Sequence, residues 1–188
     1  MSLGWIILAV VVAAVIYAIF VYNRLIRLRN MVSEGFSGVD VQLRRRTDLV
    51  PNLVETVKAY AAHERTVFEE VAATRASSIA ANDVPGQAAA ARALQAALGR
   101  LFALAEAYPQ LKADKNFLEL QNQLAEIEDQ LQMARRYYNG TVRDLNIEIQ
   151  SFPSSLIANA LHFTPAPFFE LDEAARAAPT ISFAASKS

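Results

Sequence analysis

Apolar and polar positions follow two patterns along this chain. From Leu3 to Val21 no charged residue interrupts a run that is hydrophobic on every side. Beyond it, apolar residues recur at three- and four-residue spacing almost to the end. That is the period of a helix that buries one face. No strand-like alternation of useful length precedes the last residues.

The first run reads as a transmembrane helix. At ~1.5 Å rise per residue it spans roughly 28 Å, close to the ~30 Å of a bilayer's hydrocarbon core. Trp5, Tyr17 and Tyr22 lie near its ends, where amphipathic rings favour the interface. A cleaved signal peptide fits poorly, because no basic residue precedes the run and no A-x-A pattern follows it. A buried core helix also fits poorly, because the run is not amphipathic. Arg24, Arg27 and Arg29 follow the span directly and no Lys or Arg precedes it. The positive-inside rule then puts the N-terminus outside and the rest of the chain in the cytoplasm. The same arginines could touch anionic headgroups, but topology alone accounts for them.

The helical pattern divides the remainder. Tyr22 to about Asp48 carries a partial stripe of Leu25, Leu28, Val32, Val39 and Leu43, continuous with the span. Asp40–Arg44 and Arg44–Asp48 are i,i+4 pairs on its polar side. Pro51 lacks a backbone donor and disfavours helical geometry at Val50, so a kink or short break is expected there. A second helix is expected from Pro51 to about Ser77, on Val50, Leu53, Val57, Tyr60, Val67 and Val71. Ser77 to Gly86 reads as a loop. An Ala-rich helix follows to Tyr108, with Leu94, Leu98, Leu101 and Ala105 on one side. Asp114 is placed to cap the longest helix, which runs to Gln150. Its stripe of Phe117, Leu120, Leu124, Ile127, Leu131, Ala134, Tyr138, Thr141 and Leu145 keeps alternating spacings of three and four. Ser154 to Leu161 can add one or two turns.

The expected fold is therefore all-α: an N-terminal transmembrane helix followed by an elongated antiparallel helical bundle with a Pro/aromatic C-terminal tail. Residues 1–22 form the anchor, 23–161 the bundle and 162–188 the tail. Short turns between long helices favour antiparallel neighbours. Phe163, Phe168, Phe169 and Phe183 in the tail could dock into a groove, or Thr180–Phe183 could add to an edge. A loose tail is the equal alternative.

Composition removes several kinds of chemistry. The 188 residues carry a net charge of −1, against the basic excess of a general nucleic-acid binder. The absence of cysteine excludes disulfides, thiolate metal sites, a Cys nucleophile and a lipidated cysteine after the span. His63-Glu64 opens like a zinc-protease motif, but Val67 stands where the second histidine belongs. That reading leaves His63 on a helix surface. His162 stands alone, and no phosphate loop, nucleophile elbow or dinucleotide fingerprint occurs. Glu126, Glu128 and Asp129 read as a solvated face. Arg135-Arg136 and Arg143-Asp144 near Tyr137-Tyr138 could line an anionic pocket, though salt bridges to neighbours explain them as well. Neither a cofactor nor a metal is expected.

One stretch is more specific than any of these. Asp40-Val41-Gln42-Leu43-Arg44-Arg45-Arg46-Thr47-Asp48-Leu49-Val50-Pro51-Asn52-Leu53-Val54 resembles the signature of the LemA family. Tyr22-Asn23-Arg24-Leu25, His63-Glu64, Ala107 to Ala113, Ala134 to Asn139, Phe152-Pro153 and Phe168-Phe169-Glu170 extend the likeness over nearly the whole chain. The resemblance implies an anchored helical bundle, a bacterial inner (plasma) membrane location and no established enzymatic activity. One family relative serves in building magnetosome membranes. The chain departs from the family pattern at Thr47, usually Tyr, and at Gly35-Phe36, usually Ala-Trp.

The expected function is a non-enzymatic scaffold that self-associates at the membrane and shapes or organises it. Its partners are the bilayer, further copies of the chain and other membrane proteins. An adaptor for a membrane protease or an envelope-stress system is the alternative, and a cryptic hydrolase a minor one. Asp40, Arg44, Arg45, Arg46, Asp48 and Asn52 serve either as an interaction surface or as helix-packing ion pairs.

Overall fold

The computed structural model describes residues 3–169. Among these the chain forms six helices and no strand: α1 (Leu3–Lys58), α2 (Arg65–Ala80), α3 (Val84–Glu106), α4 (Pro109–Lys112), α5 (Lys115–Gln150) and α6 (Ser154–Ala160).

Helix α1 passes from the apolar run into the bundle without interruption. From Leu3 to Phe20 no side chain is buried, and Val21 is the first that is. One helix in the described chain is long and apolar enough to cross a membrane, and its most apolar window is only 6% buried within the protein. A core helix would be covered, so length, composition and exposure make this the membrane anchor of the chain.

The expected break at Pro51 does not occur, and the chain stays helical through it. Proline cannot donate to the carbonyl four residues earlier, which belongs to Thr47. Arg75 Nε of α2 donates to that oxygen at 2.9 Å. A side chain from a neighbouring helix thus replaces the missing ladder bond, and α1 continues to Lys58. The break falls later, so the expected helix from Pro51 to Ser77 is two helices. Residues 59–64 form the turn, in which Tyr60 Oη donates to Asp114 Oδ2 at 3.0 Å. His63 is exposed in this turn rather than on a helix surface.

The loop before α3 is shorter than expected, because α2 runs to Ala80 and Pro85 starts α3 in its first turn. Ser78 Oγ donating to Ala90 O, and an Arg100–Glu70 ion pair farther along, set α2 and α3 as an antiparallel hairpin. Tyr108-Pro109 ends α3 as expected, but Pro109–Lys112 coils into a short turn of helix that hydrophobic spacing cannot resolve. Asp114 caps α5 as the sequence implies: its carboxylate accepts from the amides of Asn116 at 2.9 Å and Phe117 at 3.1 Å.

Helix α5 runs antiparallel to α1. The pairs Arg46–Glu128, Gly35–Tyr138 and Arg24–Glu148 hold one register along both. Three buried clusters follow this axis. Val21, Leu25, Leu145, Ile149 and Ala158 pack at the anchor end. Val39, Ala88, Leu131, Tyr138, Val142 and Phe169 fill the middle. The far end is the largest, built from Val50, Leu53 and Val57 of α1 with Val71, Leu94, Leu98, Leu101 and Phe117.

Candidate functional site

The signature segment lies on α1 where that helix faces the α2–α3 hairpin. Asp40 Oδ1 accepts from Gln87 Nε2 at 3.0 Å, and Asp40 Oδ2 pairs with Arg44 Nε at 2.9 Å, one turn away. Around them opens a cleft of about 600 Å³. Phe36, Asp40, Arg44, Asp48, Asn82 and Gln87 are among its lining residues.

Arg46 turns inward from the same segment and is 3% exposed. Its guanidinium donates through Nη1 to Ala91 O of α3 at 3.5 Å and meets Glu128 Oε2 of α5 at 3.6 Å. One side chain therefore ties α1, α3 and α5 together. Burial lowers its pKa from the ordinary arginine value, and the Glu128 charge opposes that shift. Glu128 is consequently not part of a solvated face, as its spacing in sequence implied. Glu126 and Asp129 are exposed beside it. Thr47 is buried, and its hydroxyl donates to Arg44 O at 2.8 Å. Arg45, Asp48 and Asn52 are exposed. The segment thus brings exposed charges, Arg44 and Asp48, and two buried side chains, Arg46 and Thr47, to the same cleft.

The second feature is a seat for the start of the tail. Asn146 Nδ2 donates to Ala166 O at 3.0 Å, and its Oδ1 accepts from Ala166 N at 2.8 Å. Asn139 makes the same pair with Phe169, at 3.0 and 2.8 Å. The geometry matches: two helical turns advance ~10 Å along α5, and three extended residues cover about the same distance. Tyr138 Oη donates to Pro167 O at 2.8 Å between the two clasps, and burial raises the Tyr138 pKa. Each asparagine thus imitates a strand's backbone, which fixes the tail antiparallel to α5.

The tail aromatics divide accordingly. Phe169 is fully buried, with the Arg135 guanidinium 4.7 Å from its ring centroid. Phe163 is half-buried under Arg29 at 5.5 Å. Phe168 is exposed, and Phe183 and the Thr180–Phe183 segment lie outside the described residues. Arg135 therefore stacks on the tail rather than lining an anionic pocket, while Arg143 pairs with its neighbour Asp144 on the surface at 3.4 Å. The asparagine clasps were not anticipated from sequence. The seven-residue spacing of Asn139 and Asn146, on the flank of an apolar stripe, is the signal that was there to find.

The membrane-proximal arginines are also separated by the fold. Arg24 pairs with Glu148 at 3.0 Å, Arg29 covers Phe163, and Arg27 is exposed. Among the described residues no group of three or more His, Cys, Asp or Glu side chains is placed to hold a metal ion.

The sequence profile of the LemA family matches residues 35–183, which includes the cleft segment, all of α5 and the tail seat. The chain belongs to the LemA family. Among curated relatives, magnetosome proteins MamQ 1 and MamQ 2 of Paramagnetospirillum magneticum are each 25% identical over 186 residues, covering 85% of this chain and 68% of theirs. MamQ of Magnetospirillum gryphiswaldense is 24% identical over 174 residues, covering 79% of this chain and 64% of its own. The LemA match begins at Gly35, and so covers most of the bundle but neither the anchor nor the stretch of α1 around Val21 and Leu25 that packs at the anchor end.

Proposed function

We propose that this LemA-family chain is a non-enzymatic scaffold, anchored in the bacterial inner membrane with its bundle in the cytoplasm, that self-associates in the membrane plane. The observation that carries the reading is the continuity of α1 from exposed apolar span to buried core. A bundle mounted on a rigid helix holds a fixed angle to its own membrane span, so neighbouring copies with aligned spans present the same faces to one another. A tethered enzyme that must search for substrate gains nothing from such a mount. The magnetosome relatives support a role in organising membrane, and the arginines after the span support the orientation.

Extraction of the full chain into native nanodiscs, followed by particle imaging and mass measurement, tests the proposal. Several copies per disc with a defined arrangement is the expected result. A detergent-solubilised chain that stays monomeric by light scattering at high concentration would overturn it.

A second reading, an adaptor for a membrane protease, draws on the polar cleft. Asp40, Arg44 and Asp48 line it with charges of both signs, and Arg44 and Asp48 are exposed. In-cell crosslinking from position 44 that captures only self-products would remove this alternative.

A further inference from the structure

The anchor end of the bundle carries apolar surface that the anchoring of α1 alone does not explain. Helix α5 rises towards the span, and Glu148 meets Arg24. Phe152 follows two residues after the end of α5 at Gln150, in the turn that leads into α6, and Ile149 just before this turn packs with Val21 and Leu25 of α1. Ala158 of α6 packs with Val21 and Leu25, so the whole α5–α6 turn sits beside the point where α1 leaves the bundle.

This turn has the wrong surface for water. Phe152 is 81% exposed and Leu156 63%. From Ile149 to Phe169 the chain contains no Asp, Glu, Lys or Arg. Arg24 and Glu148, at this end of α1 and α5, neutralise each other. Tyr22 is exposed on α1 next to Val21 of that cluster, and an amphipathic ring favours a membrane interface.

We propose that the α5–α6 turn is a second membrane contact, with Phe152 and Leu156 seated in the interfacial layer of the bilayer that α1 crosses. Only a lipid surface lies continuous with the anchor at this level. An uncharged turn led by Phe and Leu is the surface that gains from burial at the headgroup–acyl boundary. Two contacts, one spanning and one lying on the surface, fix rotation about the anchor as well as position.

The proposal rests on the anchor reading, and the test separates the two. Phe152→Trp is introduced into a Trp5→Phe background and the full chain is reconstituted into phosphatidylethanolamine/phosphatidylglycerol vesicles. Flotation reports the anchor. Tryptophan emission, with and without lipids brominated high on the acyl chain, reports the turn. A blue-shifted emission strongly quenched by the brominated lipid is expected. Ile79→Trp, exposed at the end of α2, serves as the control and should respond to aqueous iodide alone. A floating chain whose Phe152→Trp emission is open to iodide and blind to brominated lipid overturns the second contact and leaves the anchor standing. Shielding from both quenchers overturns it too, in favour of a cover by another copy. A chain that does not float overturns both readings. Leu156→Trp repeats the measurement should Phe152→Trp melt early.

Discussion

At the scale of single residues, the carbonyl of Thr47 shows how α1 survives its proline. Removing Arg75 leaves that buried oxygen without a donor, at a cost of about 1–2 kcal/mol. Pro51→Ala supplies a backbone N–H to the same oxygen, so in that background Arg75→Ala should cost less. Denaturant melts of the four variants form a cycle whose coupling measures the rescue, and additive effects would refute it. Glycines give a second contrast. A Cβ on Gly35 would lie 3.1 Å from Tyr138 Cα, whereas one on Gly38 meets nothing within 4 Å. Gly38→Ala should therefore gain up to ~1 kcal/mol from helix propensity. Gly35→Leu should force α1 from α5 and lower stability by about 1–3 kcal/mol. These details also mark what the sequence leaves open. The sequence predicts an interruption at Pro51, because the donor that bridges it comes from a residue on another helix. Glu128 was indistinguishable from Glu126 and Asp129 until Arg46 was seen to reach it.

At the scale of elements, both ends of α5 lend themselves to measurement. Hydrogen bonds from Phe117 N and Tyr60 Oη, followed by one from Asn116 N, hold the Asp114 carboxylate below the ordinary aspartate range. A depressed carboxylate stabilises the fold above its unfolded pKa of ~3.9 and loses that contribution as pH falls through the folded value. Protection of the Asn116 and Phe117 amides from hydrogen exchange, corrected for the intrinsic rate at each pH, should fall first as pH drops below ~4, and Asp114→Asn should flatten the response. At the other end, Asn139→Ala removes both bonds to Phe169, and Asn146→Ala both bonds to Ala166. At about 1 kcal/mol per bond, either change should raise proteolysis near residues 163–169 before it moves the global melt. Element identity was largely legible from apolar spacing, because helices bury stripes that a period exposes. The break at residues 59–64 was not. Its apolar spacing continues across the turn, and Tyr60 is drawn instead to Asp114, far along the chain.

At the scale of the whole molecule, the boundary between anchor and bundle falls at Val21. A chain beginning at Val21 keeps every residue of the three buried clusters and should fold with nearly the full-length midpoint in the absence of detergent. Leu25→Ala in the same background should cost about 2–4 kcal/mol, because Leu25 is fully buried. Circular dichroism melts compare the two. Anchor, bundle and signature were all readable from the chain, whereas the cleft and the tail seat arise only where distant helices meet. The unbroken helix also has a mechanical consequence. From Val21 to Lys58, α1 is a rod of ~55 Å. Spans longer than the local bilayer is thick relieve the mismatch by tilting. A tilt of about 10° at the membrane would swing the far end of this rod by roughly 10 Å. The protein is thus geared to turn a small change in bilayer thickness into a large displacement at its distal tip.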